Sequence, residues 1–239
     1  MTFDRELYRQ ELKEAMLRAS LSFSEERENQ MLDYVEHLLQ VNESLNLTRI
    51  TEPSDLAVKH FEDSWTLIPL IDERLEEETL SLLDIGSGAG FPGIPLALAR
   101  PALDVTLLES IEKKARFLEG VQDEVGLDLT VLNGRAEVLA HDPIYRKSFD
   151  LVTARAVASL DILIELALPF VKKGGYFIAM RGQEEEIPGG VETLGATLTE
   201  IRPLTLPGDL TRTLYVFLKV SGTPDHLPRS MKKMKRRPL

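Results

Sequence analysis

The residues best suited to chemistry lie in LLDIGSGAGFPGIPLA, residues 82–97, where Asp84 is followed by Gly86, Gly88, Gly90 and Gly93. Glycine lets a backbone turn tightly and approach a ligand with no Cβ in the way. Two patterns overlap in this stretch. Gly88, Gly90 and Gly93 match G-x-G-x-x-G, whereas Gly86, Gly88 and Gly90 match a tighter G-x-G-x-G preceded by Asp84. A carboxylate at position 84 sits poorly with a pyrophosphate but suits the ammonium end of a cationic ligand, met through water or backbone. Glu109, 23 residues after Gly86, ends the next apolar run and can accept both hydroxyls of an adenosyl ribose. A glycine turn that merely joins two packed elements is the plain alternative.

Holding these residues requires a strand, a turn and a helix. Leu80–Ile85 reads as a buried strand and Gly93–Arg100 as an apolar helix, the layout that places a nucleotide-like ligand at the carboxyl edge of a parallel sheet. Strand and helix then alternate. Strands are expected at Asp104–Glu109, Leu127–Leu132, Phe149–Ala154 and Gly174–Met180, and helices at Glu112–Val125, Ala158–Val171 and Glu184–Leu194. Gly126 closes the helix before it. Leu198–Pro203 and Arg212–Val220 form a late hairpin across the link Leu204–Thr211. The expectation is an α/β fold, Rossmann-like, with a mostly parallel seven-stranded sheet ending in an antiparallel hairpin. Asp84, the glycine register and the late hairpin favour S-adenosylmethionine (SAM) over NAD, because the hairpin belongs to the class I SAM methyltransferase architecture more than to dehydrogenases.

Upstream, Asp4–Ala19 and Ser24–Leu47 read as amphipathic helices. A third begins at Pro53-Ser54-Asp55 and carries His60, Asp63 and Trp65 towards Pro69. The acidic run Asp72, Glu73, Glu76, Glu77 and Glu78 reads as a solvated connection. The expected organisation is a helical extension at 1–71, a SAM-binding domain at 72–222 and a basic tail at 223–239. With 43% hydrophobic residues in 239, the chain can bury a sizeable core. The absence of cysteine excludes a disulfide framework and a thiolate metal site, and no metal site is expected. A charged N-terminus and the lack of a long apolar run point to a cytoplasmic protein with no membrane partner. A net charge of −11 argues against non-specific nucleic-acid binding over the whole surface, yet Arg229, Lys232, Lys233, Lys235, Arg236 and Arg237 end the chain with no acid among them.

Further stretches, taken with the glycine turn, carry a family resemblance: SLNLTRI (44–50), KHFEDS (59–64), LLESIEKKARFL (107–118), GRAEVL (134–139), FDLVTARAVASL (149–160) and GGYFIAMRG (174–182). Together they resemble the RsmG (GidB) family, the bacterial 16S rRNA guanine-N7 methyltransferases. The resemblance implies that Gly86 and Phe91 line the SAM site and that Glu109, Ser110 and Ile111 hold the ribose and its surroundings. It also implies that Ala136 and Glu137 contact the adenine and that Arg155 lies beside the methionine end. It implies methyl transfer to N7 of a guanine in the 530 loop of 16S rRNA, on the RNA or the small ribosomal subunit; a monomer is expected, since nothing in the sequence demands more. Val41 stands where the family has tryptophan, Arg181 where lysine is common, and Leu227 where a tyrosine is usual. These departures spare the SAM site and bear on the substrate side.

N7 of guanine already holds an in-plane lone pair, so no general base is required. Asn46, His60 and Asp63 are candidates for the wall of a substrate pocket, with Arg155 and Asp63 as substrate-positioning groups; the alternative is that they lock the helical front onto the sheet. Trp65 reads as core. The tail is the expected RNA-binding element, with Arg100, Arg146 and Arg181 among candidates for an accompanying patch. Removing Arg229–Leu239 is expected to weaken rRNA binding and spare SAM affinity. Two other readings remain at this point: a SAM methyltransferase acting on another substrate, and a nucleotide- or NAD-binding regulatory protein.

Overall fold

In the computed structural model, which describes residues 3–74 and 79–238, the chain begins with helices whose ends follow from their capping residues. The Asp4 carboxylate accepts from the Leu7 N–H to open α1 (Arg5–Arg18), and the Ser24 hydroxyl accepts from the Arg27 N–H to open α2 (Glu25–Leu45). Asn46, with φ +51°, ends α2 in the left-handed region, where its short polar side chain is tolerated. Pro53 starts α3 (Pro53–Leu56), which does not continue as the regular helix expected. Residues Ala57–Glu62 form a π-helical segment before the short α4 (Asp63–Trp65) and α5 (Ile68–Arg74). Such widened turns cluster at functional sites, and this one carries Lys59 and His60.

The sheet strands are β1 (Leu80–Ile85), β2 (Leu103–Glu109), β3 (Thr130–Asn133), β4 (Phe149–Arg155), β5 (Val171–Arg181), β6 (Ala196–Leu206) and β7 (Leu210–Lys219). They lie in the order β3-β2-β1-β4-β5-β7-β6. β1 pairs in parallel with both β2 and β4, while β7 is antiparallel to β5 and β6. The seven-stranded sheet with its terminal hairpin is as expected. The chain progresses outward through β2 on one side of β1 and through β4 on the other, so β1 ends at the topological switch point where ligands of open α/β sheets bind. The connecting helices are α6 (Gly93–Ala99), α7 (Glu112–Val125), α8 (Ala136–Leu139) and α9 (Leu160–Ala167).

Apolar residues cover both sheet faces. On one, Tyr34, Phe61 and Trp65 from the helical front join Leu82, Ile94 and Leu107. On the other, Leu83, Leu163 and Phe177 pack with Leu227 and Met234 from the C-terminal segment. Trp65 is core as expected: it is buried, and its Nε1 donates to the Pro95 carbonyl at 3.1 Å.

Several boundaries differ from expectation. Glu184–Leu194 is not a helix; only a 3₁₀ turn forms at Glu192–Leu194. Pro188, Gly189 and Gly190 interrupt it, and Glu185 is drawn into bonds with Arg181, Leu160 and Tyr215. β5 starts at Val171 and runs through Gly174 and Gly175, so the preceding helix stops at Ala167. β3 begins at Thr130 instead of Leu127. The hairpin strands extend to leave only Pro207-Gly208-Asp209 between them. The acidic connection is partly ion-paired, Asp72 to Arg100 and Glu73 to Arg202; Glu76, Glu77 and Glu78 lie outside the described residues. The basic end of the chain folds as α10 (Met231–Arg236).

Candidate nucleoside and substrate site

β1 delivers Asp84 to the switch point entirely out of solvent. Its Oδ2 accepts from the Gly93 N–H at 3.1 Å, while Oδ1 has no partner. Burial pushes the carboxyl up to about 7, against the pull of the Gly93 N–H and the Arg155 charge. An orphaned buried carboxylate oxygen is costly and is a natural acceptor for an ammonium group. Gly93 is needed for this geometry, since a Cβ there would collide with Leu107 Cδ2 and stand 3.0 Å from Asp84 Oδ2. Gly88, at φ +60°, faces the other way: a Cβ would meet nothing closer than 3.8 Å, so the turn leaves an open cradle on that side.

Glu109 closes the turn from the end of β2. Its Oε2 accepts from the Gly88 N–H at 3.0 Å and its Oε1 from the Ile111 N–H at 2.7 Å, with Ser110 Oγ at 3.4 Å from Oε1. Two carboxylate oxygens offer about four lone-pair directions, so a ribose diol can be received beside these backbone donors. Gly86, Ser110, Ala136 and Glu137 converge on a small cavity of about 90 Å³, walled by Val157, Leu166 and Met231. Ile111 is half exposed at the start of α7. The glycine turn, Glu109, Ser110, Ala136 and Glu137 are therefore assembled at one edge, and their chemistry fits a nucleoside bearing a cationic amino acid arm.

Arg155, at the end of β4, organises the neighbouring cleft. Its Nη1 donates to Asp63 Oδ2 at 2.8 Å and to the Lys59 carbonyl at 3.0 Å; its Nη2 meets His60 Nδ1 at 3.1 Å. Because a guanidinium only donates, His60 Nδ1 accepts and the ring proton sits on Nε2, directed to Thr48 Oγ1 at 2.9 Å. Burial first, then the Arg155 charge, holds His60 down at about 3, so the ring is neutral. Asp63 is fully buried and takes a second cation, Arg212 of β7, whose Nε donates to Oδ1 at 2.7 Å. Lys59, His60, Arg155, Arg181 and Arg212 line a cleft of about 390 Å³. Asp55, Asp63 and Glu185 pair with its cations, Asp63 serving two of them.

The candidates from the sequence thus separate into groups. His60 and Asp63 meet Arg155 and lock the helical front to the sheet, and they also bound the cleft. Phe91 is almost fully buried: it stacks on His60 with centroids 4.1 Å apart, under the Arg155 guanidinium, and touches Tyr34 and Phe61. It reaches a ligand only through those neighbours. Asn46 is exposed at the end of α2 and lines neither cavity.

The C-terminal side chains divide too. Lys232, Lys233, Lys235, Arg236 and Arg237 are exposed, but Arg229 is bound through Nε, an Nη and its backbone N–H to the buried Glu165 of α9. Among the patch candidates, Arg146 is spent on the carbonyls of Ala140, Thr223, Pro224 and Leu227, and Arg181 on Glu185 and the Ala158 carbonyl.

Sequence reasoning missed Thr48, Arg212, Glu165, Val157 and Met231 as parts of these assemblies. Thr48, Val157 and Met231 lie inside stretches already singled out, whereas nothing local distinguishes Arg212 or Glu165. No helix among the described residues is long and apolar enough to cross a membrane.

The family model described as rRNA small subunit methyltransferase G matches residues 27–207. The chain is 41% identical over 227 residues to a ribosomal RNA small subunit methyltransferase G of Lactobacillus acidophilus, covering 92% of this chain and 94% of that one. It is 40% identical over 235 residues to the protein of that name from Alkaliphilus metalliredigens, covering 95% and 97%. Among solved structures, a variant of MtNAS in complex with S-adenosylmethionine superposes with a TM-score of 0.55 at 15% identity, over 91% of this chain and 88% of that one, a likeness of fold.

Proposed function

The chain belongs to the rRNA small subunit methyltransferase G family and is a SAM-dependent rRNA methyltransferase; from that premise we propose that it methylates N7 of a guanine in 16S rRNA. The observation that carries this reading is the adjacency of two unlike cavities at the switch point. One is a small recess lined by Gly86, Ser110 and Glu137; the other is a cationic cleft at Lys59, Arg155, Arg181 and Arg212. Ala156 lines the cleft and Val157 the recess, so a single turn of chain separates donor from acceptor. Ala156 has φ +57°, a conformation that costs a non-glycine residue about 1–2 kcal/mol and that concentrates at functional sites.

SAM supplies an electrophilic methyl group on a sulfonium. The residues of this chain bind and orient. Asp84 offers its unpartnered oxygen to the amino group, and Glu109 receives the ribose. Arg155 holds its guanidinium within reach of a carboxylate, anchored by Asp63 and His60. The cleft draws the RNA backbone by charge and sets the guanine edge toward the recess. Attack by N7 moves no proton, and the neutral His60, with both ring nitrogens engaged, fits a positioning role and not that of a base. Rate enhancement then comes from holding nucleophile, methyl carbon and sulfur in line.

The test uses small ribosomal subunits from a strain lacking this gene, incubated with the enzyme and labelled SAM. Borohydride–aniline cleavage, which breaks the chain at N7-methylguanosine, should release label at one site in 16S rRNA. Label at another atom only, or in the large subunit, rejects the guanine-N7 assignment.

A further inference from the structure

The C-terminal segment reads in sequence as a basic arm, but its course brings it against the nucleoside recess. Thr223, Pro224 and Leu227 are fastened through their carbonyls to Arg146, and the Pro228 carbonyl lies 2.9 Å from a ring nitrogen of His141. Arg229 then grips Glu165 through its guanidinium and its own N–H. Glu165 is fully buried, and losing one partner of such a pair leaves an uncompensated interior charge, so this point of attachment is firm. The next residue of α9, Leu166, lines the recess. Two residues beyond Arg229, Met231 lines it too, together with Gly86, Ala136 and Glu137, while Met234 one turn on is fully buried in the core.

The recess itself is too small for its proposed occupant. About 90 Å³ falls well below the roughly 300–1,000 Å³ of ordinary small-molecule sites, so some of its lining must move when a nucleoside enters. Gly86, Ser110, Gly134 and Ala136 are held by backbone at the strand ends, and Leu166 is locked in the core. The movable lining consists of side chains that reach solvent: Arg135 and Glu137 at the rim, Val157, whose Cγ2 lies over Gly86 close enough to exclude a Cβ there at 2.6 Å, and Met231. Methionine, unbranched and with three rotatable bonds, adapts its shape and makes favourable contacts with aromatic rings through its sulfur.

We propose that α10 supplies the outer wall of the nucleoside recess through Met231, so that the segment carrying the basic side chains also holds the adenosyl group of the cofactor. Met231 is a positioning residue in this reading: it swings aside to enlarge the recess and covers the adenine once bound. The same segment presents Lys232, Lys233, Lys235 and Arg236 to solvent, so occupancy of the recess and placement of these cations are linked. The inference rests on the assignment of the recess to the adenosyl end of SAM.

Calorimetric titration of the full-length protein with S-adenosylhomocysteine and with 5′-methylthioadenosine, which lacks the amino acid, tests it. Met231→Ala should weaken both ligands by the same factor, about tenfold, because the wall touches only the part they share. Met231→Leu, which restores most of the volume, should bind within about twofold of wild type. A melting temperature measured beside each titration separates a lost wall from a lost fold. Unchanged affinity of a folded Met231→Ala protein overturns the wall, as does a loss for S-adenosylhomocysteine not matched by methylthioadenosine. Failure of the wild-type protein to bind either ligand overturns the site assignment, and the wall with it.

Discussion

Asp84 is the residue whose environment most constrains its chemistry. In the folded chain its carboxyl titrates at about 7 because it is buried, against about 3.9 in an unfolded chain. A folded value above the unfolded one means that the neutral carboxyl is tolerated and the ionised one is not; stability is full below about 3.9 and declines as pH rises towards 7. An ammonium group placed at the orphan oxygen reverses that preference, so binding below pH 7 should expel a proton. S-adenosylhomocysteine affinity should therefore rise with pH up to about 7, and calorimetry at about pH 6.5 in buffers of different ionisation enthalpy should register proton release. Asp84→Asn should bind more weakly and without the pH slope; a slope that persists in the variant would assign the proton elsewhere. His60 has the opposite linkage. Its folded value of about 3 lies below the ordinary 6.5, so its contribution is complete above 6.5 and is lost as pH falls through that window.

Among the elements, the joint between the helical front and the sheet depends on one carboxylate with two arginines. Asp63 follows the π segment, Arg155 ends β4, and Arg212 comes from the hairpin, so three distant parts of the chain meet at a fully buried acid. Removing the acid leaves two cations facing each other in a partly buried place. Asp63→Ala should destabilise the protein by about 3–5 kcal/mol, the range for breaking one side of a buried ion pair, read from urea unfolding. A change below about 1 kcal/mol, the range of exposed pairs, would mean the arginines find solvent and the joint is held by apolar packing alone. The π segment belongs to this joint. A helical reading of residues 53–65 places His60 and Asp63 on one face, but the wider turn carries the Lys59 carbonyl to Arg155 as well.

For the molecule as a whole, the charge distribution separates two tasks that the bulk composition merges. The net charge of −11 discourages RNA over most of the surface, leaving the cleft and α10 as the places where phosphate is favoured. Removing Arg229–Leu239 does not isolate the basic side chains, since it strips the partner from Glu165 and the wall from the recess. Replacing Lys232, Lys233, Lys235, Arg236 and Arg237 by glutamine leaves the anchors in place. That variant should bind 16S rRNA more weakly, with a salt dependence shallower by about 0.7–0.9 for each phosphate it no longer neutralises, measured by filter binding across a salt series. Its S-adenosylhomocysteine affinity should stay within about twofold of wild type, since the exposed cations do not line the recess. An unchanged salt slope would remove α10 from the RNA interface.

Much of this architecture is legible along the chain because it is written in local periodicity. Alternating apolar strands and helices, a glycine turn behind Asp84, and Glu109 at the next strand end are short-range patterns whose backbone consequences do not depend on distant residues. The family resemblance comes from the same short stretches. What only the tertiary structure decided are the encounters of residues far apart in sequence. Glu184–Leu194 lost its helix to glycines and to competing bonds from Arg181 and Tyr215. Phe91 became a buried partner of His60, and Arg229 closed onto Glu165, 64 residues away. Charge and hydropathy fix which side chains must find partners, but partner identity follows from strand order. The basic end of the chain therefore reads as a free arm in one dimension and becomes a wall of the site in three.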